Sequence, residues 1–299
     1  MGYRNIYIAN QAHLSTKLNC MVIDNGEISS VPIEDIRCVM IENKLVTVSA
    51  ALMSKLALNG VTVMICDDSF LPTSVLYPLN VYSRQLRQIK LQFSQSQPAL
   101  KHLWQQTVCA KIRNQSLCLR SNGHPEDAEY LLSLIQCVRS GDPQNTEGKA
   151  AAFYFKALFG KDFSRSKDTW INYALNFGYS VIRSDIARTL AVYGFEPSLG
   201  MHHKSELNNF NLADDLIEPF RPVIDLWVAG HIREDDKLIT ADKASIFNIM
   251  NMDMLSKDEK CTVDNCIERE VQSLAACYGK KQDTLALPEL TELHYHDYE

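Results

Sequence analysis

The chain has 299 residues, of which 46% are hydrophobic and 22% charged, and its formal net charge at pH 7 is −6. This composition predicts one large or two medium-sized domains, and the low counts of glycine (12) and proline (10) exclude a collagen-like or low-complexity chain. No apolar run is long enough to span a bilayer, and the N-terminus lacks the pattern of a secretory signal. The sequence therefore predicts a cytoplasmic protein without a membrane partner.

Short β-rich runs dominate the first 76 residues. Turn-forming residues such as Asn25-Gly26 separate runs at residues 5–9, 19–24, 28–33, 37–41 and 61–66. A helix is predicted between the last two runs, with Ser49 as its N-cap and Gly60 as its terminator. We predict a small β-sandwich with one helix over residues 1–76.

The rest of the chain has a different pattern from the first 76 residues. The pairs Leu71-Pro72 and Tyr77-Pro78 favour extended connecting chain, and we place a linker at residues 77–84. Beyond it, helical periodicity replaces β-branched alternation. We predict an all-α domain over residues 85–299, with about seven to ten helices and a polar, mobile tail from about Gly279. The predicted fold class is α+β in two domains.

Charge is distributed unevenly along the chain. Residues 81–120 carry seven basic and no acidic residues, inside a chain that is acidic overall. Arg84 and Arg87 lie three residues apart on a predicted helix, and together with Lys90 they suit a phosphate backbone. A solvated helix face, balanced by the acidic C-terminal part, explains the same pattern equally well.

Three clusters contain side chains that can carry chemistry. In the first, Thr146 is a candidate N-cap and Glu147 lies in the first helical turn. Exposed amides and the helix dipole favour a carboxylate there, so structure alone can explain Glu147. In the second, His202 and His203 follow a glycine in a predicted turn, where a ring nitrogen can reach a ligand. Only one of two adjacent side chains is expected to face inward, and a loop histidine is more often polar surface.

A third cluster is a predicted short helix in which acidic and apolar residues alternate. Asn211 is a plausible N-cap. Leu212 and Leu216 are four residues apart and share the predicted buried face. The acidic residues of this helix are candidates for a functional site.

The acidic residues of the third cluster are close together. Asp214, Asp215 and Glu218 are three or four residues apart, and like charges on one patch repel unless a cation lies among them. Pro219 and Pro222 also disturb the helical hydrogen bonds where the acids lie, which is a poor choice for a helix that only packs. The pattern favours function, and removing Glu218 is expected to cost little stability.

The clusters together supply two carboxylates and an imidazole, with no thiolate. This ligand set suits Mg²⁺ or Mn²⁺ better than structural zinc. A divalent ion beside a basic track indicates phosphodiester chemistry.

Each cluster corresponds to one sequence motif. The motifs are N-T-E-G-K from residue 145, G-M-H-H-K from residue 200 and N-L-A-D-D-L-I-E-P-F-R-P from residue 211. With the domain order, they resemble the CRISPR-associated integrase family, the Cas protein numbered one. The resemblance covers almost the whole chain. The double histidine is similar to that of the type II branch, found beside RNA-guided nuclease loci.

The resemblance implies that Glu147, His203 and Glu218 are the catalytic residues and the ligands of Mg²⁺ or Mn²⁺. His203 is preferred to His202 because its spacing from Glu218 fits the type II pattern. Asp215 and His202 are second-line candidates for the metal site. Asp215 is included because other branches use two acids three residues apart. We further predict DNA contacts by five basic residues: Arg84, Arg87, Lys90, Lys149 and Arg221.

The implied activity inserts short foreign DNA fragments into a CRISPR array, by attack of a DNA 3′-hydroxyl on a phosphodiester at the edge of a repeat. The implied setting is the prokaryotic cytoplasm. The implied partners are double-stranded DNA, a second copy of the chain, a small dimeric second adaptation protein, a ring-shaped DNA-end protein and the effector nuclease. Two alternatives remain open: a structure-selective, metal-dependent nuclease on branched DNA, and a non-catalytic scaffold that holds DNA ends.

Overall fold

The computed structural model describes residues 2–76, 84–233 and 237–296. Its first part contains the strands β1 (Arg4–Ile8), β2 (His13–Lys17), β3 (Cys20–Asp24), β4 (Ile28–Pro32), β5 (Ile36–Ile41), β6 (Thr47–Val48), β7 (Thr62–Cys66) and β8 (Pro72–Leu76), with the helix α1 (Ala50–Leu58) between β6 and β7. The predicted linker at residues 77–84 lies outside the described residues, except for Arg84.

These strands form two sheets that share one apolar core. The first sheet has the order β1-β5-β7-β8, with three parallel strands and β8 antiparallel to β7. The second has the order β4-β3-β2-β6, antiparallel except for the short β2–β6 pair. Their shared core includes Ile8, Leu14, Met21, Val39 and Val63. The predicted sandwich with one α-helix is confirmed for residues 2–76.

Local sequence chemistry accounts for most of this part. Ser49 is the N-cap of α1, as predicted, and its side chain accepts from the N–H of Leu52 at 3.3 Å. Gly60, at φ 72°, follows the end of the helix. The predicted connection at Leu71-Pro72 is wrong, because residues 72–76 form β8. Pro72 begins this strand at the edge of the sheet, where a missing N–H is tolerated.

The remaining described residues contain the helices α2 (Gln85–Phe93), α3 (Gln97–Ser121), α4 (Pro125–Ile135), α5 (Thr146–Phe159), α6 (Trp170–Val192), α7 (Asn211–Leu216), α8 (Arg221–Gly230), α9 (Thr240–Phe247) and α10 (Val263–Tyr278), and the strands β9 (Met252–Ser256), β10 (Glu259–Thr262) and β11 (Glu289–Tyr295). Within residues 2–76, 84–233 and 237–296, none of the helices is long and apolar enough to cross a membrane. The mixed α+β class is confirmed.

The prediction of an all-α C-terminal domain is wrong, because β9, β10 and β11 form a sheet of order β10-β9-β11. A tight turn joins β9 to β10. It places Lys257 and Asp258 at positive φ, 54° and 65°. Hairpin turns of this kind usually carry asparagine or glycine, and this one does not, so the sequence gives no hairpin pattern here.

The predicted polar, mobile tail beyond Gly279 is also wrong for the residues described up to 296. Leu285 and Leu290 are buried, and β11 pairs with β9. The Asn114 side chain in α3 donates to the carbonyl of Pro288 at 3.0 Å and accepts from the N–H of Leu290 at 3.1 Å. These bonds fix the segment against the longest helix.

The first sheet also packs against the helices. Cys38, Met40 and Met64 on its other face belong to the same apolar core as α3, α6 and α10. The hydroxyl of Thr62 in β7 donates to the carboxylate of Asp185 in α6 at 2.9 Å. Because sheets and helices share this core, the division into domains at 1–76 and 85–299 remains a prediction.

Candidate active site

The first candidate residue, Glu147, lies in the first turn of α5. Asn145 is the N-cap, at φ 52°, and its side chain accepts from the N–H of Gly148 at 3.2 Å. The prediction of Thr146 as the cap is therefore wrong by one residue. The Asp142 carboxylate accepts from the N–H of Thr146 at 2.9 Å and of Glu147 at 2.8 Å. These bonds fix the start of the helix and hold Glu147 half-buried at a positive helix end.

Residues 200–203 form a loop that contains both histidines, here called the histidine loop. It is held by Asp215, a fully buried carboxylate of α7. It accepts from the backbone N–H groups of Met201 at 2.5 Å, His202 at 3.0 Å and His203 at 3.1 Å. Gly200 is required here, because a Cβ would lie 2.4 Å from the carbonyl oxygen of His203 and 2.9 Å from Asp215. Asp215 thus sets the conformation of the whole loop.

The two adjacent histidines have different surroundings. His203 bonds through Nδ1 to Asp215 at 2.7 Å, and this bond raises the pKa of His203. Its other ring nitrogen, Nε2, is the one that can bind a ligand. His202 stacks on Trp104 with ring centroids 4.2 Å apart, and burial lowers the pKa of His202. The geometry gives His202 a packing role and leaves His203 as the oriented imidazole.

The third candidate, Glu218, lies in the turn between α7 and α8. Pro219 and Pro222 have no N–H to donate to a continuous helix. The helix is therefore interrupted between α7 and α8, as the sequence indicates. Glu218 is buried, and its Oε1 accepts from Nε of Arg221 at 2.9 Å, while Oε2 accepts from Nζ of Lys111. Burial alone would raise the pKa of Glu218, but these two cations lower it to about 2. The carboxylate is held charged inside the protein.

The N-terminal end of α7 differs from its prediction in one detail. Phe210, not Asn211, is the N-cap. The amide of Asn211 is buried and donates to the carbonyls of Ser198 at 3.0 Å and Ser205 at 2.9 Å. Leu212 is buried, as predicted, and Leu216 likewise.

The predicted patch of three repelling carboxylates is wrong, because each acid has its own partner. Asp214 accepts from Arg183 at 2.6 Å, Asp215 binds the histidine loop, and Glu218 binds Lys111 and Arg221. The cations that neutralise this segment therefore include side chains of the chain itself.

Lys111 is the site residue that sequence reasoning missed. Of the seven basic residues in 81–120 it is the buried one, with 8% of its side chain exposed. Its Nζ donates to Oε1 of Glu147 and to Oε2 of Glu218. Burial opposes its charge, but Glu218 and Glu147 outweigh burial and raise the pKa of Lys111. Val108 and Gln115, three and four residues from Lys111 on the same face of α3, are also buried. This spacing could have marked Lys111 as buried, but it does not indicate which acids it meets.

The candidate residues share one electrostatic neighbourhood. The charges of Asp215 and Glu218 act to raise the pKa of His203. Nevertheless, across the three described ranges no group of three or more His, Cys, Asp or Glu side chains is arranged to hold a metal ion. Glu147 and Glu218 converge on an ammonium group instead.

The predicted DNA contacts have two kinds of environment. Arg84, Arg87 and Lys90 are exposed and border one surface depression at α2. Lys149 is exposed on α5, two residues after Glu147. Arg221 is only one-quarter exposed, because it bonds to Glu218 and lies over the ring of Tyr179 at 4.6 Å.

The chain is similar to known proteins in sequence and in fold. The family described as CRISPR associated protein Cas1 matches residues 6–245. The chain is 40% identical over 305 residues to the CRISPR-associated endonuclease Cas1 of Neisseria meningitidis serogroup C (strain 8013), with 100% of both chains covered. A solved casposase bound to integration product has a TM-score of 0.75 at 21% identity, covering 95% of this chain and 92% of that one. A Cas6-RT-Cas1–Cas2 complex has a TM-score of 0.70 at 18% identity, covering 96% and 36%.

These matches define the class of protein as the CRISPR-associated endonucleases, as predicted. Within that class, the chain belongs to the Cas1 family. The resemblance to the type II branch is also confirmed, since the Neisseria relative comes from a type II system. The two solved structures share the fold.

Proposed function

We propose that this protein is a metal-dependent DNA integrase in which Glu147, His203 and Glu218 are the catalytic residues. The 3′-hydroxyl of a short DNA fragment attacks a phosphate at the edge of a CRISPR repeat. A new P–O bond forms, the original P–O bond to the neighbouring nucleotide breaks, and that nucleotide leaves as a free 3′-hydroxyl after its oxygen takes up a proton. The observation that carries the proposal is the convergence of two carboxylates, from α5 and from the α7–α8 turn, on one cationic group. The solved casposase of similar fold is bound to an integration product, which supports joining rather than cutting alone.

The donor set fits a divalent ion. Glu147 and Glu218 offer oxygens, and Lys111 between them is a stand-in for a cation. The Asp215 bond to Nδ1 of His203 is the arrangement that orients a metal-binding imidazole through its other nitrogen. Mg²⁺ or Mn²⁺, when bound, would polarise the scissile phosphate and favour deprotonation of the attacking hydroxyl.

The chain's own residues hold this site in place. Asp215 acts through His203 and is not assigned as a ligand, because its carboxylate already accepts three backbone N–H groups and the ring. Arg221 orients Glu218 from the other side. His202, stacked on Trp104, supports the loop.

We assign the DNA path to the exposed basic residues. Arg84, Arg87 and Lys90 offer positive charge to the phosphate backbone, and Phe93, 73% exposed at the end of the same helix, offers a ring on which a base can stack. Lys149, exposed two residues after Glu147 on α5, is a further proposed contact. Arg221, the fifth predicted contact, remains a proposal as well, with its one-quarter exposed guanidinium beside Glu218.

We propose a role for each part of the chain in assembly with its partners. Residues 1–76 serve as the dimerisation domain, and residues 85–299 as the catalytic domain. The similar fold of the solved Cas6-RT-Cas1–Cas2 complex supports assembly with a small second adaptation protein. Further proposed partners are a ring-shaped DNA-end protein and the effector nuclease. The proposed location is the prokaryotic cytoplasm.

A strand-transfer assay tests the activity. Labelled fragments with free 3′-hydroxyls and a repeat-bearing plasmid are mixed with the protein, its second adaptation partner and Mn²⁺ or Mg²⁺. We expect label to be joined to the plasmid, and joining to be lost with chelator and with the Glu147→Gln variant. Cleavage of branched DNA without joined product would indicate a structure-selective nuclease. Full activity of Glu147→Gln in the assembled complex would indicate a scaffold.

A further inference from the structure

Lys111 occupies the point between Glu147 and Glu218 at which the proposed function places a divalent ion. Its ammonium group donates to one oxygen of each carboxylate. Arg221 donates to the other oxygen of Glu218 at 2.9 Å. The two cations and two carboxylates cancel in formal charge, so this cluster is neutral as it stands.

The same contacts conflict with binding of a metal ion. A dication shared by Glu147 and Glu218 would lie beside the Lys111 ammonium in a site where Lys111 and Glu218 are each only 8% exposed. Positive charges in such proximity repel strongly, because little water screens them. The ammonium must therefore move before the ion can enter. Lysine suits such a movement, since it carries a compact charge on a flexible four-carbon stem.

We propose that Lys111 is a placeholder cation, which neutralises Glu147 and Glu218 in the metal-free protein and competes with the divalent ion for them. This inference rests on the proposed function, because it takes both carboxylates as metal ligands. It has two consequences. The metal-free protein keeps its buried acids paired, and the metal affinity is weaker than the donor set alone would give.

The test measures Mn²⁺ alone, without DNA, in a calorimeter. In the Lys111→Met variant, which keeps most of the length of the side chain and removes its charge, we expect Mn²⁺ to bind at least about tenfold more tightly than in the wild type. Lys156→Met is the matched control, because Lys156 is an exposed lysine of α5 and its loss removes the same charge. Equal or weaker Mn²⁺ binding by Lys111→Met would overturn the inference.

Thermal unfolding provides the second readout. Without metal, Lys111→Met should melt at a lower temperature than the wild type, because Glu147 and Glu218 lose their shared partner. Saturating Mn²⁺ should close this gap, since the ion replaces the missing charge. Lys111→Gln serves as a second neutral variant. Folding of either variant only in the presence of Mn²⁺ supports the inference, and failure of both to fold even with Mn²⁺ contradicts it.

The outcomes also separate this inference from the proposed function. If the wild type binds Mn²⁺ and Glu147→Gln does not, the metal site is supported whatever Lys111→Met does. If neither the wild type nor Lys111→Met binds Mn²⁺, the metal site is wrong and the placeholder with it. Binding by Lys111→Met but not by the wild type is the strongest result in favour of competition.

Discussion

Two buried carboxylates lie seven residues apart and differ in what surrounds them. Glu218 accepts from Lys111 and Arg221, and the cations lower its pKa to about 2 against the effect of burial. Asp225 accepts from the hydroxyls of Tyr154 and Tyr179, and burial raises its pKa to about 6. Burial is shared, so the difference comes from the partners. A buried acid is held charged, ready for a cation, where the fold supplies positive groups, and otherwise it is held by neutral donors.

The largest difference should appear in activity. Glu218→Gln should lose strand transfer by at least about a thousandfold, equivalent to about 4 kcal/mol of transition-state stabilisation, because a neutral amide cannot hold the ion. Asp225→Asn should stay within about fivefold of the wild type, because its partners are hydroxyl groups. Rates in the plasmid-joining assay decide this. Equal losses for the two variants would place Asp225 in the catalytic machinery.

The free energy of unfolding should also distinguish Glu218 from the other acidic residue that Lys111 contacts. Glu218→Ala should destabilise the protein by about 3–5 kcal/mol, because it leaves Lys111 and Arg221 in a buried site with one anion fewer. This replaces the expectation, drawn from like-charge repulsion, that the loss would be small. Urea unfolding of the metal-free protein measures it. Glu147→Ala should cost less, because Glu147 is 24% exposed and Lys111 keeps Glu218.

The pH dependence of stability should isolate Asp225. Its pKa is raised from 3.8 to about 6, so the folded state binds more protons than the unfolded state between these values. Its stabilising contribution is therefore complete below about pH 4 and is lost as the pH rises through about 6, by about 3 kcal/mol in total. Asn carries no proton equilibrium in this range. The difference in unfolding free energy between the wild type and Asp225→Asn should fall between pH 4 and pH 6, and a flat difference would contradict the assignment.

What the sequence could and could not predict follows from the range of the interactions. Ser49 caps α1 and Pro219 interrupts the helix through bonds to near neighbours, so local patterns are sufficient for them. Lys111 meets Glu147 and Glu218 across 36 and 107 residues of chain, and such pairings leave no local pattern. The β9–β10 turn could not be predicted for another reason: Lys257 adopts a positive φ that its residue type does not indicate.

The resemblance to a family distinguishes Glu218 from its two acidic neighbours, and the residue chemistry alone does not. From charge spacing alone, Asp214, Asp215 and Glu218 were equivalent members of one patch. The fold separates them by partner, since Arg183 takes Asp214 and the histidine loop takes Asp215. Only the tertiary structure can make that distinction, because the three acids have nearly the same sequence surroundings.

The smallest effect extends the comparison from buried to exposed cations. Arg84 and Arg87 are exposed on the surface, unlike Lys111, so their joint replacement by alanine should change the free energy of unfolding by no more than about 0.5 kcal/mol per residue. It should instead reduce the slope of log affinity for duplex DNA against log salt by about two, because each phosphate contact contributes about 0.9. Fluorescence anisotropy over a salt series measures this. Lys101→Ala with Arg113→Ala, two exposed basic residues of α3, is the matched control. A slope unchanged by the Arg84 and Arg87 substitutions would mean that this face of α2 points away from DNA, and a drop shared by the control pair would mean that the effect is one of net charge.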